Sequence, residues 1–160
     1  MRRLRFSLLP LVALIALSFT AAFASTSGAH FMSTSDSVNN DGALVVNWDE
    51  AGLGNENIDY TLTADATAVY VCINGGNNHP KAANKETVQG QVSTGGSFQA
   101  KNGRVQASLT TGPLSAGSFS CPSGQRLVLA SVSYTNIVLT DTTNDVSATL
   151  PDVSRIFFAV

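Results

Sequence analysis

Charge is scarce in this chain of 160 residues: Asp, Glu, Lys and Arg together make up 12% of it, about half the usual share. Beyond residue 24 there is no basic run, so the clustered positive charge that phosphate backbones and anionic membranes require is missing there,. Nucleic acid and anionic membrane are therefore poor partners. Histidine is limited to His30 and His79, and neither G-x-S-x-G nor H-E-x-x-H occurs, which removes the usual signatures of a hydrolase elbow or a zinc peptidase. Cysteine is limited to Cys72 and Cys121 with no C-x-x-C spacing, against a thioredoxin-type redox pair. No segment of the chain beyond residue 24 repeats its apolar residues with a helical period. No fixed-period repeat stands out either.

What is present at the start reads as an export leader. Arg2, Arg3 and Arg5 form a positive head, Leu8 to Leu17 an apolar stretch, and Ala22-Phe23-Ala24 a small-residue cleavage site. This order marks residues 1–24 as a signal peptide. A membrane anchor is the rival reading, but Pro10, Ser18 and Thr20 interrupt the stretch and no basic stop-transfer cluster follows,. Removing the three leader arginines leaves six basic against eleven acidic residues, a net charge of −5. The expected product is secreted and free of the membrane. In an oxidising compartment the two cysteines are expected to pair.

Residues 25–42, small and polar, read as a flexible arm or a partly paired edge; residues 43–160 read as one domain. Ala43 to Trp48 is a short apolar strand, followed by an acidic loop from Asp49 to Asn57. Ile58 to Ile73 alternates as a long strand with a bend near Asp65-Ala66. Asn74 to Pro80 is a loop, Lys81 to Lys85 could form a helical turn, and Thr87 to Val92 is a candidate strand. Ser97–Lys101 and Arg104–Leu109 flank Asn102-Gly103, a pair suited to the positive φ angles of a type I′ turn, and so predict a hairpin. Gly117 to Cys121 is a short strand and Gln125 to Leu139 the strongest one. Val146 to Leu150 returns after a turn, and Ile156 to Val160 could add an edge. Seven to nine short strands with Gly-rich turns predict an all-β, antiparallel β-sandwich, Ig-like in general architecture, with one disulfide. Trp48 precedes both cysteines, unlike the antibody arrangement.

Three stretches resemble a family of small exported bacterial proteins with no assigned function. They are Trp48-Asp49-Glu50-Ala51-Gly52-Leu53-Gly54, then Tyr70 to Gly76 continuing through His79 to Lys85, and Leu127 to Thr135. The likeness covers most of residues 43–154 and implies secretion without implying an activity. Phe98 to Leu109 is also similar in rhythm to a hairpin of small secreted sandwich proteins that carry enediyne antibiotics, although the cysteine pattern departs from theirs.

Four constellations could carry chemistry. Asp49, Glu50, Asn55, Asn57 and Asp59, with Glu56, gather oxygen ligands at a spacing that begins like a Ca²⁺ loop. Tyr60 stands where such a loop needs Gly, and Ala66 where it needs Glu,. His79 could serve as a base or ligand. Asp65, Glu86, Asp141, Asp145 and Asp152 could supply the facing acids of a glycosidase. Asn74, Asn77, Asn78, His79 and Asn84 form an amide-rich loop suited to recognition,. Trp48 and Tyr70, in strands, read as core. The expectation is a non-catalytic extracellular binding module using these loops and no cofactor. A small-ligand carrier and a secreted hydrolase with an acid pair are the alternatives.

Overall fold

The computed structural model describes residues 28–74 and 84–159. The segment expected to be a signal peptide lies outside the described residues, as do Asn77, Asn78 and His79. Among these residues there is no helix, so none is long and apolar enough to cross a membrane.

Eight strands form two antiparallel sheets. β1 (His30–Val38), β2 (Leu44–Ala51) and β5 (Arg104–Thr111) make one, in the order β1-β2-β5. β4 (Lys85–Gln99), β3 (Asn57–Asn74), β6 (Gln125–Asp141) and β7 (Val146–Leu150) make the other, with β8 (Val153–Ile156) also paired to β6. β7 and β8 keep one register along β6, Ile137 opposite Leu150 and Tyr134 opposite Val153. They are one edge strand interrupted at Pro151, which has no N–H to give to a ladder. The expected edge strand over Ile156 to Val160 is replaced by this earlier one. Phe157 and Phe158 leave it with both N–H groups on the Ala130 carbonyl, at 2.8 and 3.1 Å.

The faces follow the alternation of the chain. Ile58, Tyr60, Leu62, Ala64, Ala66 and Ala68 of β3 point inward against Leu44, Val46 and Trp48 of β2 and Val132, Tyr134, Ile137 and Leu139 of β6. Each fully buried large side chain contributes roughly 1.5–3 kcal/mol through removal of apolar surface from water. The irregularity anticipated in β3 near Asp65 lies instead on β6, since β3 pairs with β4 there without a shift. The β3–β6 register shifts between Thr63 and Asp65, with Asn136 at φ 50° supplying the extra residue and its amide bonded to Asp65 at 2.8 Å. A second shift, opposite Val69/Tyr70, leaves Ala130 unopposed. It puts Leu129 on the same face as Val132 and Tyr134, where strict alternation had placed them apart. Ala130 itself joins Val71 and Ile73 in a separate small cluster.

Four expectations are corrected. Of the two readings of residues 25–42 the flexible arm gives way to the paired edge: His30 to Val38 is an edge strand paired along all of β2. β2 runs three residues beyond Trp48, so Asp49 and Glu50 belong to a strand and not to a loop. Gly117 to Cys121 forms no strand; the bridge therefore ties β3 to an irregular segment, with Cys72 and Cys121 Cα atoms 5.5 Å apart. Finally, Asn102-Gly103 makes the expected tight turn, at φ 53° and 74°, but only Lys101 and Arg104 pair across it. β4 then joins one sheet and β5 the other, so the turn is a corner between sheets.

That corner is docked from below. Gly103 accepts the Leu53 N–H at 3.0 Å, and a Cβ on Gly103 would meet the Leu53 carbonyl at 2.9 Å. Gly103→Ala adds positive-φ strain to this contact and is expected to cost roughly 1–2 kcal/mol in chemical denaturation. A substitution within a few tenths of a kcal/mol of neutral would mean that the turn is free of Leu53.

Candidate functional site

The loop expected to recognise a ligand is described only at its two ends. Asn74 closes β3. Asn84 precedes β4, where its carbonyl accepts the Cys72 N–H at 3.1 Å and its amide reaches Gln125 Oε1 at 3.3 Å. The disulfide at Cys72 fixes the same point. The structure therefore brings Asn74 and Asn84 to one pinned base.

The oxygen-ligand set is not brought together. Alternation along β2 sends adjacent carboxylates to opposite faces. Asp49 lies on the outer face, where Arg104 Nε donates to it at 2.6 Å, Arg104 Nη2 donates to its second oxygen, and Gln106 donates at 2.9 Å. These donors, the Arg104 bond first, hold its carboxyl down at about 2. Glu50 lies inside. Asn55 and Asn57 are exposed, and Asp59 is on the outer face of the other sheet, its backbone engaged by Thr142 and Thr143. Among the described residues no group of three or more His, Cys, Asp or Glu side chains converges on a metal-sized site.

The acids that do meet are Glu50 and Asp141, both with no solvent exposure. Tyr60 OH donates to Glu50 Oε2 at 2.7 Å. Asp141 accepts Thr143 N at 2.8 Å, Asn144 N at 2.9 Å and Asn144 Nδ2 at 2.7 Å. With both acids ionised, Glu50 Oε1 has no donor and stands unpartnered. Burial raises the Glu50 carboxyl to about 7. The Tyr60 bond and the charge of His30 oppose this, while Asp141 adds to it by its charge and as a hydrogen-bond partner. One proton on Glu50 resolves the conflict, because Oε1 then becomes a donor to Asp141. Burial likewise drives the Tyr60 phenol far above its usual range. The pair links the two sheets, Glu50 from β2 and Asp141 from β6. It sits in the core where no substrate reaches it, so it is not the facing acid pair of a glycosidase. Asp65 and Glu86 are on exposed strand faces, and Asp152 follows Pro151 at the surface.

Over this pair lies an aromatic cluster. Trp48 and Tyr60 have ring centroids 4.7 Å apart, and Phe98 meets both edge-on at 5.3 and 5.9 Å. Trp48 Nε1 is buried with no acceptor among the described residues. Phe98 folds over Gly96, where a Cβ would stand 2.9 Å from its ring. It forms the floor of a cleft of about 600 Å³ that opens where β4 and β5 part, bordered by Gln99, Lys101, Arg104, Val105 and Gln106.

No family model, curated protein or solved structure matches the chain.

The cleft was not legible in the sequence. Inward Phe98, Ala100, Val105 and Leu109 fit a hairpin lying on the core and a corner folding around it equally well, and only the corner opens a cleft. The acid pair did carry a signal. Leu44, Val46 and Trp48 alternate inward, and the next residue in phase is Glu50.

Proposed function

We propose that the chain is a secreted, non-catalytic binding module that takes a carbohydrate in the cleft between β4 and β5. The observation that carries this reading is the composition of the cleft. Half-buried Phe98 offers an apolar floor to the C–H face of a sugar ring. The Gln99 side-chain amide stands beside it as donor and acceptor for hydroxyl groups, and Gln106, whose Nε2 is held by Asp49, adds its Oε1 as an acceptor,. Lys101, exposed on the rim, favours a sugar carrying a carboxylate,. Arg104 is already held by Asp49 and acts as a rigid wall. The cleft is built on strand ends braced by the Trp48–Tyr60–Phe98 cluster, which suits a preformed site. The disulfide and the export leader support an extracellular setting.

The carrier alternative needs an apolar crevice between the sheets. Fully buried Leu44, Leu62, Ile137 and Leu139 fill that space and lend it no support. The test is retention of the mature protein on immobilised neutral and uronate-bearing polysaccharides. Retention is expected on the latter, with Phe98→Ala weakening it about tenfold, the upper end of the roughly 0.5–1.5 kcal/mol that an aromatic contact contributes. No retention on any polysaccharide, or equal retention of Phe98→Ala, would overturn the proposal.

A further inference from the structure

Each sheet edge presents unpaired backbone groups, and three of the four edges among the described residues are protected in a recognisable way. β1 carries a register irregularity between Phe31 and Ser33. The β7–β8 edge is broken at Pro151. β5 is short and begins at ion-paired Arg104. β4 has none of these devices. It spans 15 residues, pairs with β3 from Asn57↔Gln99 to Val71↔Lys85 without a shift, and contains no proline. Its only charged residues, Lys85 and Glu86, sit at one extremity. Thr87, Gln89, Gly90, Gln91 and Ser93 are exposed. Every second residue of such a strand directs its N–H and C=O away from its one neighbour.

We infer that β4 is a dimerisation edge, two copies of this chain pairing their β4 strands antiparallel about a twofold axis at Val92. The sequence of β4 is complementary to its own reverse. In this register Gln91 faces Ser93, Gln89 faces Gly95 and Thr87 faces Ser97, so uncharged hydrogen-bonding or small residues meet from Thr87 to Ser97; at the ends Glu86 falls opposite Phe98 and Lys85 opposite Gln99, and no charge meets its like,. The two larger sheets become one continuous sheet across the axis, an isologous interface.

The experiment is sedimentation equilibrium of the mature protein over a concentration series, with hydrogen exchange read along β4. The expected result is a monomer–dimer equilibrium, and exchange at alternate residues between Thr87 and Ser97 that slows as concentration rises. The double variant Gln91→Lys/Ser93→Lys places two like-charge pairs across the axis and is expected to weaken the dimer about tenfold or more while leaving circular dichroism unchanged. A wild-type chain that stays monomeric, or a dimer whose β4 exchange does not depend on concentration, overturns the inference. Monomeric chain whose β4 becomes protected only by an added extended peptide overturns it equally and assigns the edge to a foreign strand.

Discussion

The fold is expected to lose stability as pH rises from 4.5 towards 7, because Glu50 must then give up the proton that it shares with Asp141. Its carboxyl is raised from 4.5 to about 7 in the folded chain. Between these values the folded state binds more protons than the unfolded one, so stability is fully present below 4.5 and is lost as pH climbs through 7. The full shift corresponds to roughly 3 kcal/mol. The groups facing Glu50 are Tyr60 on β3, Asp141 on β6 and His30 on β1. Asp49 acts in the opposite sense: its depressed carboxyl supports the fold above 3.8 and ceases to do so as pH falls towards 2. The two windows do not overlap. Glu50→Gln supplies a permanent donor to Asp141 and leaves His30 in place. Urea denaturation at pH 5 and pH 8 should therefore give different midpoints for the wild type and nearly equal ones for the variant. Equal midpoints for the wild type would place Glu50 in contact with water.

The second large effect is expected at the disulfide. Cys72 and Cys121 are 49 residues apart in sequence, and in the chain-entropy model closing that loop stabilises by about 4 kcal/mol. Cys121 sits in a segment with no ladder of its own, between β5 and β6. The bridge is therefore the covalent hold on that segment as well as on the base at Asn74 and Asn84. Replacing both cysteines by alanine should lower the free energy of unfolding by about that amount, read from denaturant midpoints at constant m. A loss below about 1 kcal/mol would show that residues 112–124 are held without the bridge, by packing and by the Tyr70 OH bond to the Leu114 carbonyl at 2.7 Å,.

Much of the architecture was legible because period-2 alternation is a local signal. The long β3, β6, the return at Val146 and the cystine all follow from residue order. What escaped depends on which partner a strand chooses. Lys85 to Gln99 reads as two fragments because Gly95 and Gly96 weaken the pattern, yet pairing along β3 makes it continuous and Phe98 covers the bare Gly96,. His30 to Val38 is too polar to announce a strand and is held by the backbone of β2. The polar residues of Asp49-Glu50 suggested a loop, whereas the phase set by Val46 and Trp48 carries through them. The candidate site was the least legible part. Its cleft exists because β4 and β5 belong to different sheets, a fact decided by contacts distant in sequence.

That cleft can be examined residue by residue. Two-dimensional NMR of the isotope-labelled mature chain, titrated with an oligosaccharide of uronic acids, reports every backbone amide at once. The account predicts saturable shifts concentrated at Phe98, Gln99, Lys101 and Gln106, with the amides of β7 and β8 unmoved. Shifts confined to other surfaces, or none at saturating sugar, would contradict it.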